Sequence, residues 1–147
     1  MEKEKVYDFI FAGAGAATLQ IVQKLTQSSA FAKADILILE QDPDKQNDRT
    51  WCFWEKEGRH NWAPYIQKTW TQIHFSSPNF KLHQPLDPFA YNMIRSKSYY
   101  AAMHEFIKQH PSIEIRYEKV ETFTETAHEV VVTSSRKRYK SRYFFNS

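Results

Sequence analysis

The sequence predicts an α/β fold: a parallel sheet opened by a strand–helix–strand unit, interrupted by an antiparallel insertion and closed by a meander. Three observations predict it. Residues 6–12 and 35–40 are short, largely apolar runs without alternation, as strands covered on both faces require. Between them, Leu19, Val22 and Leu25 lie three apart on one helical face of residues 16–27, with Ile21 beside it. After Ser112, short apolar or alternating segments follow one another with polar turns between them.

Taken in order, residues 6–12 are a strand bounded by charge before and glycine after. Residues 16–27 are a helix, and residues 35–40 a second strand in the same sheet, joined by a crossover expected to be right-handed. Gln41 to Arg49 is polar and contains Pro43, so it is a loop. Residues 70–76 and 80–84 are strands of a hairpin about Ser77-Pro78-Asn79. Ser96 or Ser98 can cap a helix running to about Gln109, with Tyr99, Met103, Phe106 and Ile107 on its buried side and Pro111 past its end. Residues 112–117 alternate as a third sheet strand, and residues 120–124, 129–133 and 139–145 complete the meander. The chain closes on a strand, Tyr143 to Ser147. In a doubly wound sheet such a strand leads to another turn and helix, so a longer protein of which this is the N-terminal part is expected.

The chain has 147 residues, 41% hydrophobic and 25% charged, which is ordinary for one globular domain. Aromatics reach 16%, which indicates a thick core or a large apolar site, the core being the commoner reason. A net charge of +3 is too small to imply nucleic acid. Much of it sits in residues 136–142, read as a solvated turn and strand edge, where charge blunts edge pairing. Cys52 is the only cysteine, so no intrachain disulfide forms, a reducing compartment fits, and a small buried apolar role is expected. Met1 to Lys5 is charged rather than signal-like, and no apolar run approaches the roughly 20 residues of a membrane span. The expected location is the cytoplasm, at most peripheral to a membrane. The histidines, His60, His74, His83, His104, His110 and His128, show no metal-ligand spacing, so no metal is expected. His83, in the hairpin, is the one placed to approach a pocket.

The first strand runs straight into Gly13-Ala14-Gly15-Ala16-Ala17-Thr18. Gly13 permits a tight turn, Gly15 a close backbone approach to a pyrophosphate, and Ala14, Ala16 and Ala17 keep the turn uncluttered. The helix that follows aims its N–H groups and positive dipole end at the phosphates. Glu40 ends the second strand, 27 residues after Gly13, where a carboxylate can accept the ribose hydroxyls of an adenosine. An acid there disfavours a 2′-phosphate, which selects FAD or NAD over NADP. Thr18 replaces the third glycine of the G-x-G-x-x-G pattern, and its branched side chain bears on helix–strand packing. These features specify a Rossmann-like FAD/NAD(P)-binding sheet, and the order of elements resembles the front half of hydroxylase-like flavoproteins.

Asn47-Asp48-Arg49-Thr50-Trp51-Cys52-Phe53-Trp54 is too aromatic for an ordinary surface loop. Arg49 can hold a phosphate or flavin oxygen in a bidentate manner, or form a structural salt bridge. Trp51, Phe53 and Trp54 can face an isoprenoid and a nearby cation, or pack a core; Trp51 and Phe53 share one side if this is a strand. The octapeptide resembles the signature of bacterial lycopene β-cyclases. The strand and glycine turn, the acid after the second strand, Tyr91 to Arg95 before a helix, and the closing Phe145-Asn146-Ser147 fall in family order along essentially the whole chain.

That resemblance implies a carotenoid cyclase holding reduced FAD, with NAD(P)H as reductant and lycopene as substrate. An acid protonates a terminal double bond, the cation closes a six-membered ring, and proton loss yields the β-ring. The family's catalytic acid lies beyond Ser147. Residues 1–147 then form the N-terminal part of an FAD-binding domain, with about 60–95 an insertion contributing to a substrate domain. Gly13, Ala14, Gly15, Ala16, Ala17, Glu40 and Arg49 are the expected cofactor contacts. Carotenes reside in bilayers, so peripheral membrane contact is also implied. Two alternatives remain open: a flavin-dependent monooxygenase or reductase of the same topology, and a non-catalytic nucleotide-binding module.

Overall fold

A computed structural model describes residues 5–45, 47–56 and 62–146. The charged opening Met1 to Glu4, His60 and the final Ser147 lie outside the described residues. The chain divides into two compact units: Met1–Asp44 with Glu105–Ser147, and Lys45–His104.

The first unit begins with β1 (Val6–Ala12), α1 (Ala16–Gln27) and β2 (Ile36–Glu40), as the apolar pattern requires. After the second unit, the end of α2 (Ser96–Lys108) leads into β8 (Ile113–Tyr117). The meander follows as β9 (Val120–Glu125), β10 (Val130–Ser134) and β11 (Arg138–Asn146). One six-stranded sheet results, in the order β8-β2-β1-β11-β10-β9. β8, β2, β1 and β11 run parallel, and β9, β10 and β11 pair antiparallel. The parallel part has the strand order of a doubly wound nucleotide-binding sheet, reversing direction beside β1, where such sheets bind ligands at their carboxyl ends.

The sheet core gathers Tyr7, Ile10, Leu37, Leu39, Val130, Val132 and Tyr139, all buried. A polar network lies at its margin. Tyr139 donates its hydroxyl to both oxygens of the buried Glu118 carboxylate, at 2.8 and 2.9 Å, and Ser134 also donates to Glu118. Tyr7 donates to Glu114 at 3.0 Å, alongside two bonds from the Arg116 guanidinium. Burial pushes both carboxyls up, but these donors, with Lys5 on Glu114, outweigh it and hold both below the usual range. The same burial and charge push the Tyr7 and Tyr139 hydroxyls up to about 12.

Two expectations need correction. The basic run Arg136 to Arg142 does form a hairpin turn and strand, but β11 is no sheet edge: it lies between β1 and β10. Its charges project from the sheet faces instead. Arg142 approaches Asp8 of β1 at 3.6 Å, and Lys140 approaches Glu129, just before β10, at 3.9 Å.

The second unit is built on β3 (Thr50–Lys56), β4 (Lys68–Trp70), β5 (Gln72–Ser77), β6 (Phe80–Pro85) and β7 (Phe89–Arg95), with a 3-10 turn at Ala63–Tyr65. β3, β7 and β4 form an antiparallel sheet in that order, and β5 and β6 a separate two-stranded ribbon. Strand alternation sorts the octapeptide. Trp51 and Phe53 face inward, where Trp51 meets Tyr99 and Tyr100 edge-on at 5.8 Å and Phe53 meets Trp62 at 6.1 Å. Cys52 and Trp54 face outward, so Cys52 is exposed and not the buried residue expected.

Candidate functional site

Gly13 sits directly after β1 with φ 90°, a left-handed conformation that side-chain-bearing residues rarely adopt. Its N–H donates to Leu39 O at 2.7 Å, which pins the turn to the end of β2. Gly15 is the N-cap of α1, with φ −76° and ψ 173°, a backbone open to any residue. A Cβ placed on Gly15 would meet no heavy atom within 4 Å. Neither conformation nor crowding among the described residues requires glycine there, and the space over it is open.

α1 starts at Ala16, and its first intrahelical bond is Leu19 N–H to Gly15 O at 3.0 Å. Among the described residues no side chain caps this helix, and its first turn holds no acid. The early N–H groups and positive dipole end are thus presented to an anion without a competing carboxylate. Thr18 is buried in that first turn, at the position where the dinucleotide pattern has its third glycine.

Glu40 comes to the same turn. It is 4% exposed, its Oε2 accepts the Ala14 N–H at 2.7 Å, and its Oε1 accepts the Asp42 N–H at 3.0 Å. The sequence placed a carboxylate near the turn but gave no sign that it would bond the turn's own amide. Through these two bonds Glu40 fixes the loop that follows β1 against the end of β2.

Six of the seven residues expected at the cofactor, Gly13 to Ala17 and Glu40, come together in the first unit. Arg49 belongs to the second. Its guanidinium is largely exposed and lies 3.8 Å from Asp48. Its backbone is held by Ser96: Arg49 N–H donates to Ser96 Oγ at 3.1 Å, Ser96 N–H donates to Arg49 O at 3.0 Å, and Ser96 Oγ donates to Asp48 at 3.1 Å. From sequence, Ser96 was only a candidate helix cap. The structure makes it the clamp on the octapeptide's entry.

On the outward face of the β3-β7-β4 sheet, Trp54, Tyr91 and Trp70 form one cross-strand row, with ring centroids 4.8 and 5.9 Å apart. On the inward face Asn92 is buried, accepting from Thr69 Oγ1 at 2.8 Å and donating to Glu55 at 3.3 Å. A cavity of about 440 Å³ opens beside it, lined by Ile66, Thr69, Pro85, Phe89 and Ala90 among others.

A family model described as lycopene cyclase protein matches residues 8–147. Among curated proteins no sequence matches significantly. Among solved structures, the p-nitrophenol 4-monooxygenase of Pseudomonas putida DLL-E4 is similar over 99% of this chain and 41% of its own, with TM-score 0.70 and 12% identity. A halogenase solved with phloroglucinol and FAD is similar over 96% of this chain and 34% of its own, with TM-score 0.64 and 16% identity. Lactococcus lactis thioredoxin reductase gives TM-score 0.56 at 12% identity, over 95% and 34% of the two chains. The chain thus spans about a third to two-fifths of the length of these structures, and likeness at such identities establishes the Rossmann-like fold they share.

Proposed function

The chain belongs to the lycopene cyclase family, and we propose that it is the N-terminal, adenylate-binding part of an FAD-dependent lycopene β-cyclase. The observation that carries the cofactor assignment is the pairing at the end of β1: open space over Gly15, with the Glu40 carboxylate bonded to Ala14 alongside. Gly15 lets a pyrophosphate reach the main chain, the first N–H groups of α1 hold its oxygens, and Glu40 accepts from the ribose. Reduced FAD, when bound, supplies negative charge beside a developing carbocation, with NAD(P)H as the source of its electrons.

The substrate is a linear carotene, and the reaction is acid-catalysed ring closure without net redox change. Such a cation needs dry, electron-rich walls, because water would trap it. With Trp51 and Phe53 committed to packing, the row Trp54, Tyr91 and Trp70 is the part of the octapeptide sheet that can offer π faces to the polyene and its charge. Arg49, free of strong pairing geometry, serves a phosphate or flavin oxygen. The proton donor belongs to the remainder of the protein, and the second unit is the start of its substrate domain.

The test is expression of the protein, with the sequence that follows Ser147 in its reading frame, in lycopene-accumulating cells. A shift from red to orange is expected. Unchanged pigment with folded, flavin-loaded protein present would overturn the cyclase assignment. Stoichiometric oxygen consumption with an aromatic substrate would favour a monooxygenase instead.

A further inference from the structure

Ser96 opens α2 and is fully buried. A serine at a helix start ordinarily offers its oxygen to the free N–H groups of the first turn. This one bonds the chain that enters β3. Its Oγ accepts the Arg49 N–H at 3.1 Å and donates to Asp48 Oδ1 at 3.1 Å, while its own N–H donates to Arg49 O at 3.0 Å. One buried residue thus holds both the backbone of Arg49 and the side chain of Asp48.

Asp48 and Arg49 are sequence neighbours of opposite charge, with side chains 42% and 70% exposed. They do not close on each other. Asp48 Oδ2 lies 3.8 Å from Arg49 Nε, beyond hydrogen-bond reach. An arginine and a carboxylate free to move settle into a bidentate pair, two parallel N–H···O bonds that occupy one edge of the guanidinium and cancel its charge. That pair needs both carboxylate oxygens turned to the guanidinium. Ser96 holds Oδ1, so Asp48 presents Oδ2 alone. The guanidinium keeps its charge and its fork of N–H donors for another oxyanion.

We propose that Ser96 is a positioning residue: it withholds Asp48 from Arg49 and so keeps the Arg49 guanidinium open to an oxyanion of the cofactor, a phosphate or a flavin oxygen. This rests on the assignment of Arg49 to FAD, and the test separates the two. FAD titration followed by flavin fluorescence is run on the parent and five variants. Ser96→Ala frees Asp48 to close on Arg49, and FAD affinity falls about three- to fivefold, the upper worth of an exposed ion pair. Asp48→Asn alone leaves affinity at or above the parent's, because it removes a competing carboxylate. Ser96→Ala with Asp48→Asn regains most of what Ser96→Ala loses. A merely structural serine gives no such recovery, since the second change repairs nothing in the fold. Arg49→Gln lowers affinity at least about tenfold, and Ser96→Ala adds nothing in that background. Ser96→Cys, which fills the same space with a weak donor, takes the place of Ser96→Ala if circular dichroism shows the latter unfolded. Parent-like FAD affinity in Ser96→Ala, or a loss that Asp48→Asn leaves in place, overturns the tether and leaves the FAD assignment standing. Parent-like affinity in Arg49→Gln removes Arg49 from the cofactor and the tether with it, while Gly15→Ala still reads the adenylate site. A parent that binds no FAD overturns both.

Discussion

Gly15→Ala separates what a ligand needs from what the fold needs. The backbone at Gly15 suits any L residue, and an added Cβ meets nothing within 4 Å. Two small terms then act on stability in opposite directions. Alanine restricts the unfolded chain, worth about 0.4–1 kcal/mol in favour of folding. Alanine is also a poorer N-cap than glycine, a loss of similar size. The net change expected is within about 0.5 kcal/mol. For a pyrophosphate pressed onto the turn, the methyl group occupies the approach. Losing one charge-assisted main-chain hydrogen bond removes about 1.5–3 kcal/mol, which is roughly a ten- to hundredfold loss of affinity at about 1.4 kcal/mol per decade. Urea denaturation and FAD titration followed by flavin fluorescence, run on parent and variant together, measure both quantities. Parent-like FAD affinity in Gly15→Ala would refute the reasoning. A loss of stability above about 1.5 kcal/mol, the scale of a strained backbone position, would refute it as well, because the glycine would then serve the fold.

Gly13→Ala should behave in the opposite way, losing about 1–2 kcal/mol of stability from a left-handed conformation, measured as a lower urea midpoint. Folding depresses the Glu114 and Glu118 carboxyls below the ordinary value of 4.5, so their contribution is complete above that value and disappears as pH falls through the lower folded values. Stability should therefore decline on acidification below about pH 5, and Glu118→Gln should flatten that decline while costing about 1–3 kcal/mol at neutral pH; an unchanged acid slope in the variant would contradict the network. Trp51→Ala should destabilise by roughly 2–3 kcal/mol, less than a fully buried ring, whereas Trp54→Ala should change stability by under about 0.5 kcal/mol as an exposed substitution. The Tyr99 hydroxyl is buried without a partner among the described residues, so Tyr99→Phe should be neutral or stabilising by up to about 1 kcal/mol in thermal unfolding.

β1, α1, β2 and the meander were legible in the sequence because each shows a single clean signal: a continuous apolar run, a helical stripe or an alternation bounded by turns. β3, β4 and β7 were not assigned, for a physical reason. In Trp51-Cys52-Phe53-Trp54 both faces carry large or apolar side chains, so no period of two stands out. In β7 a buried Asn92, held by Thr69 and Glu55 across the sheet, breaks the apolar pattern. The location of β11 between β1 and β10 was hidden by its charges, which looked like edge protection, although Arg142 pairs with Asp8 of β1 and Lys140 with Glu129 just before β10. At the candidate site, residue types and spacing brought out Gly13, Gly15 and Glu40. They could not reveal that Glu40 bonds the amide of Ala14, because a contact across 26 residues depends on the register of β1 against β2.

The most direct measurement is amide chemical-shift mapping of the protein titrated with FAD. Saturable shifts concentrated on the amides of Gly13 to Leu19 and around Glu40 are expected, together with their disappearance in Gly15→Ala. Shifts that cluster elsewhere, or no saturation at high micromolar FAD, would contradict a flavin adenylate seated on this turn.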